Sequence, residues 1–153
     1  MIELLIVIAI IAILAAVVFV ALNPLKRFQD SRDSKRAADV SSILSAIKVN
    51  QVDSGGSYLP AIAGVTAGDV YMIGTATTGC NATCTTAVTS ATSCVNLSGL
   101  VTGGYLGSIP VSPNGTGSWS ASTTGYTLSR ASTGIITVRA CENEDTSEIV
   151  ASR

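Results

Sequence analysis

The chain contains no histidine. That removes the commonest general base and the commonest metal ligand. Charge is also scarce: Asp, Glu, Lys and Arg make up 12% of 153 residues, with a net charge of -1. No basic stripe exists to meet a phosphate backbone, so nucleic acid is not an expected partner. Aromatics are 5% of the chain, with a single tryptophan, Trp119, in a Ser/Gly stretch where it reads as a loop anchor. Between Ser54 and Ser129 the only charged residue is Asp69. No acid pair in a plausible cleft, no Gly-rich strand-to-helix loop and no nucleophile with a base can be found, so no enzyme is expected, and no cofactor or metal. The length is that of one domain.

The stretch from Leu4 to Leu22 lacks charge, Gly and Pro altogether. It is long enough to cross the hydrocarbon of a bilayer as a helix. Just ahead of it stands one acid, Glu3. Three readings are open. A cleaved signal peptide is opposed by the absence of Lys or Arg ahead of the run, by its length and by the lack of a clear small-x-small site. In a plain membrane anchor, Glu3 simply sits well at a helix N-terminus. In an assembly helix, the rod leaves the lipid, packs against its own copies, and Glu3 meets a positive partner such as another subunit's terminal amine.

After Asn23-Pro24 the helical pattern resumes. Proline removes a backbone donor and disfavours right-handed helical geometry at Asn23, so a kink or restart is expected at Pro24. From Leu25 to Gln51, Val40, Ile43, Leu44 and Ile47 follow the spacing of a buried stripe. The charges from Lys26 to Asp39 read as a solvated face, with Arg27/Asp30, Asp33/Arg36 and Lys35/Asp39 at helical pairing distance; pairing between subunits is the other possibility. Asp53 to Ser57 ends the helix. Unbroken, such a rod would be about 75 Å long, too long for one small domain to bury. Its apolar half needs lipid or other subunits.

Cys80, Cys84, Cys94 and Cys141 all lie beyond the rod. In an exported domain an even count reads as disulfides, with three connectivities open. The preferred one joins Cys80 to Cys84 and Cys94 to Cys141. Tyr58 to Thr92 is dominated by small and hydroxylated residues, with a short strand candidate at 70–73. Asn81, Asn96 and Asn114 fit the glycosylation acceptor pattern, as chance would also produce in so Ser/Thr-rich a chain. A short helix is placed within Ser93 to Gly103. Gly125–Arg130 and Gly134–Ala140 alternate as a hairpin, with Glu148–Ser152 as a third strand. Alternation turns Tyr126, Leu128, Ile136 and Val138 toward the helix stripe. Glu142, Glu144, Asp145 and Glu148 read as a solvated turn, or as acids facing Lys26, Arg27 or Lys35 of a neighbour.

The run Ile2-Glu3-Leu4-Leu5-Ile6-Val7-Ile8-Ala9-Ile10-Ile11-Ala12-Ile13-Leu14-Ala15-Ala16 resembles the N-terminal segment of type IV pilins and pseudopilins. In that family a basic leader ending in Gly is cut just before Phe, and the mature chain opens Phe-Thr-Leu-Ile-Glu. Here the leader, Gly and Phe are absent and Met1 stands where the family has Leu; an upstream start encoding the leader is expected. Gly104-Tyr105-Leu106, Ile109-Pro110 and Ser112-Pro113 resemble a segment leading into the family's sheet, with Ser112 where some members have Asp. Certain major pseudopilins bind calcium with acids in that region, which this stretch does not supply.

The resemblance implies an α+β, pilin-like fold: a long N-terminal helix, apolar then amphipathic, on an antiparallel sheet of about three strands. Residues 1–24 would form the filament-core half, 25–52 the amphipathic half and 53–153 the head. It implies a pilus-like filament subunit at the bacterial cell surface, drawn from an inner-membrane pool. Its partners would be copies of itself, a prepilin peptidase and the assembly machinery. Glu3, Leu4, Ile8, Ile11, Leu14 and Phe19 would make the assembly contacts. A pseudopilin of a secretion or DNA-uptake machine and a monomeric membrane-tethered binding domain are the alternatives.

Overall fold

The computed structural model describes residues 1–80, 84, 88 and 93–153. Two consecutive helices, α1 (Ile2–Leu22) and α2 (Pro24–Asp53), form the rod. Asn23 separates them in the left-handed conformation, φ 37° and ψ 71°. It is the single non-glycine residue with positive φ among the described residues, and asparagine tolerates that region better than most. Pro24 then opens α2 at the first helical position, where its missing N–H costs nothing. The expected restart thus falls at Asn23-Pro24.

The head adds α3 (Pro60–Ala63), β1 (Val70–Met72), α4 (Ser98–Thr102), β2 (Tyr126–Arg130), β3 (Ile136–Ala140) and β4 (Val150–Ser152). The strands form one antiparallel sheet in the order β1-β2-β3-β4. The hairpin and third strand occur as expected, and Val70–Met72 supplies a fourth, paired with β2 through Tyr71 opposite Leu128. The helix placed within Ser93 to Gly103 is shorter, because Val95 is drawn into a parallel bridge with Ile73. Gly74 lies on this crossing. A Cβ there would come within 2.0 Å of the Ser122 carbonyl oxygen, so the backbone approach admits no side chain.

The sheet lies against one face of α2. Val40, Ile43, Leu44 and Ile47 pack with Tyr126, Leu128, Ile136 and Val138 in the main core. Both periodicities, 3.6 in the helix and two in the strands, are needed to bring these sets together. Met72, Cys80, Trp119 and Cys141 form a second, smaller cluster. The disulfides join Cys80 to Cys94 and Cys84 to Cys141. This corrects the preferred pairing. The Ile73–Val95 bridge sets the segments after β1 and before α4 side by side, with the Cys94 N–H donating to the Ala76 carbonyl (3.0 Å), so Cys94 meets Cys80 rather than Cys141.

Candidate assembly surface and its ionic anchor

Helix α1 is apolar on every side, and none of its residues is buried. Its large side chains are between 51% and 80% exposed, including Leu4, Ile8, Ile11, Leu14 and Phe19. A helix apolar all round belongs inside something. The head covers none of it. Glu3 lies in the first turn and has no side-chain partner among the described residues. The sequence-predicted assembly residues therefore share one uncovered rod. This is the one helix long and apolar enough to cross a membrane among the described residues. Such a rod, with two disulfides behind it, suits a membrane anchor or signal segment and a head outside the reducing cytoplasm.

What holds the rod to the head was missed in the sequence. Arg36 and Asp33 are buried, not solvated as their place in a charge run implies. They occupy the stripe face one and two turns below Val40, so helical spacing carried the signal. The Arg36 guanidinium reaches Asp33 (2.8 Å), Glu144 (2.9 Å) and Glu142 (3.1 Å). It also donates to the Ser112 hydroxyl (3.1 Å) and the Pro113 carbonyl (3.0 Å). Ser112, standing where some pilins carry an acid, accepts a hydrogen bond from a base here. Arg32 forms a second, more open pair with Glu144, through its Nε at 2.7 Å and its Nη2.

The Asp33 carboxylate accepts the backbone N–H groups of Glu144 (3.0 Å), Asp145 (2.9 Å) and Thr146 (3.1 Å), plus the Thr146 hydroxyl. Burial alone would raise its pKa. The three backbone donors and Arg36 outweigh burial and hold it at about 2. Glu144 is also held below its ordinary value, first by its hydrogen bond from Arg32, against the opposing effect of burial and with help from Arg36.

The solvated-turn reading of the last loop holds for Asp145 and Glu148, which stay exposed, and fails for Glu142 and Glu144, which do not face solvent freely. Glu142 and Glu144 turn inward on Arg36, Asp145 pairs with Lys26 of the same chain (3.2 Å), and Glu148 pairs with Arg139. Of the expected pairs within the helix, Asp33–Arg36 and Lys35–Asp39 (2.9 Å) form. Arg27 is left exposed, with no ion pair among the described residues. Asp39 also accepts the buried Tyr126 hydroxyl at 2.7 Å. Burial, and then that carboxylate, push the Tyr126 phenol well above its ordinary pKa.

Of the three acceptor-pattern asparagines, Asn81 lies outside the described residues. Asn96 and Asn114 use their side-chain oxygens to accept the Ser98 and Trp119 backbone N–H groups, both at 2.9 Å. Comparison of the chain with protein-family models, curated proteins and solved structures finds no match.

Proposed function

We propose that the chain is the structural subunit of a type IV pilus-like extracellular filament. The observation that carries this reading is α1, a 21-residue helix with every apolar side chain uncovered. Before use it lies in the inner membrane. A prepilin peptidase trims it and an assembly machine extracts it, so that its copies replace lipid around it. Burying one large side chain contributes about 1.5–3 kcal/mol, so a rod of such residues outweighs any single ion pair. Glu3 then sets register rather than gross stability. Heterologous contacts that do not close build a fibre.

The test is Glu3→Ala. It should leave the head folded and the chain membrane-inserted while fibres recovered by shearing fall greatly. Normal fibre yield would remove the role given to Glu3. The same shearing separates the alternatives. Long fibres made of this chain support a pilus subunit, short or absent fibres a pseudopilin, and a detergent-soluble monomer a tethered binding domain.

A further inference from the structure

The sheet ends on an open edge. β4 is its outermost strand and pairs with β3 alone. Arg153 exchanges both backbone bonds with Ile136 at 3.0 Å, and the Ile149 carbonyl accepts the Ala140 N–H at 2.9 Å. Positions 149, 151 and 153 therefore face β3, and the N–H and C=O groups of Val150 and Ser152 point away from the sheet. They have no backbone partner among the described residues. Native edges are normally blunted by charge, proline or a bulge. From Ile149 to Ser152 there is neither charge nor proline.

Beside that edge, between β4 and α2, runs a cleft of about 580 Å³. Ala37, Val40 and Ser41 wall it on α2, and Ile149 and Ala151 on the strand side. Ala151 faces α2, since it lies opposite the buried Val138. Three acids line the cleft, Asp30, Asp33 and Glu148, and no lysine or arginine does. Asp33 is committed to Arg36 and to backbone N–H groups, and Glu148 to Arg139. Asp30 is half-buried and has no ion pair among the described residues.

We propose that β4 and this cleft receive an extended, basic peptide segment of another protein, added antiparallel as a fifth strand. Two separate features select that occupant. The unpaired groups of Val150 and Ser152 call for a backbone in strand conformation, whose main-chain bonds supply affinity while alternate side chains supply specificity. The lining of acids alone calls for lysine or arginine. A helix would bring no free backbone groups to the edge, and a nucleic acid would meet only negative charge. Side chains of the added strand alternate between its two faces. The residue opposite Ala151 points into the cleft, where the small side chains of Ala37 and Ser41 leave room for a valine-sized group. An antiparallel segment then runs back toward Thr146, whose N–H is bonded to Asp33 (3.1 Å), and so toward Asp30 one turn below. Its next residues on the same face, two and four positions later, are the ones that meet the acids. The recognised pattern is apolar-x-basic-x-basic. The inference uses only the head and stands apart from the filament reading.

The experiment titrates the isotope-labelled full chain, in detergent micelles, with the synthetic peptide Thr-Thr-Val-Thr-Lys-Thr-Lys and follows the backbone amide resonances. Val150 and Ser152 should shift saturably, with a dissociation constant on the order of 1 mM or tighter. Ser152→Pro removes an N–H that β3 does not use, so the sheet should persist while binding weakens at least about tenfold. Asp30→Asn should weaken it about threefold. Unchanged resonances of Tyr126 and Leu128 certify the fold of each variant. A peptide with proline in place of both threonines beside the valine makes the same test without altering the protein, and it should not bind. Absence of shifts at about 5 mM peptide overturns the proposal. So does binding that withstands Ser152→Pro, the proline peptide or Asp30→Asn. Shifts at Val150 and Ser152 that grow with protein concentration in the absence of peptide would give the edge to a second copy and overturn it too. None of these results depends on fibres, so failure here leaves the filament reading to its own test.

Discussion

Replacing Arg36 with methionine probes the ionic anchor most directly. Methionine keeps much of the length and fills the site without charge. The guanidinium, with no exposed side-chain surface, holds Asp33, Glu142 and Glu144 together within 3.1 Å. Removing it takes the cation from Glu142, leaves Glu144 with Arg32 alone and Asp33 with its backbone and Thr146 donors, and deprives the Ser112 hydroxyl and Pro113 carbonyl of the guanidinium. Breaking one side of a buried ionic pair costs about 3–5 kcal/mol. In a head of this size that corresponds to a melting temperature lower by roughly 10–20 °C. The assay is thermal unfolding of the full chain in detergent, disulfides intact, followed by the near-ultraviolet signal of Trp119. Arg32→Met is the control, since its side chain is one-third exposed, and it should cost much less. Acid should narrow the gap between Arg36→Met and the parent chain, because protonation discharges the carboxylates that have lost the guanidinium. An Arg36→Met melting point within about 3 °C of the parent's, or no lower than that of Arg32→Met, refutes the anchor as argued here.

Acid titration of stability should report Asp33. A carboxylate held at about 2 instead of 3.8 contributes on the order of 2 kcal/mol above the ordinary carboxylate range, lost as pH falls through about 2. Denaturant melts at stepped pH should show that decline, and Asp33→Asn should be weaker at neutral pH with a flatter acid limb. Tyr126→Phe removes the bond to Asp39 and should cost about 1–2 kcal/mol; absorbance titration should find the parent phenol still protonated where exposed tyrosines have ionised. Non-reducing peptide mapping should recover Cys80–Cys94 and Cys84–Cys141, and loss of either bridge should cost roughly 3–4 kcal/mol by loop entropy.

Much of this architecture is legible in the sequence, because patterned residues report their own surroundings. The α2 stripe and the alternating hairpin meet as their periodicities require. The rod's hunger for a covering is likewise plain from Leu4–Leu22. Arg36 and Asp33 were misplaced because charge overrode position. They lie on the stripe face, but the groups that make their burial tolerable, Glu142, Glu144, Ser112 and Pro113, arrive from segments far along the chain. The cysteine pairing failed for a related reason. Local spacing favours Cys80 with Cys84, whereas the Ile73–Val95 bridge, which no short-range pattern announces, brings Cys94 alongside. The strand Val70–Met72 was only marginally visible at three residues. Its identity depends on β2 being beside it.

The position of the anchor also decides how force would travel. A pull on α1 enters the head at the foot of α2, where Lys26 meets Asp145 and Arg32 meets Glu144. These pairs and Arg36 resist sliding between the rod and the final loop before tension arrives at the apolar contact with the sheet. A chain wired in this way carries its mechanical joint at the base of the head, where the helix and the final loop are locked together.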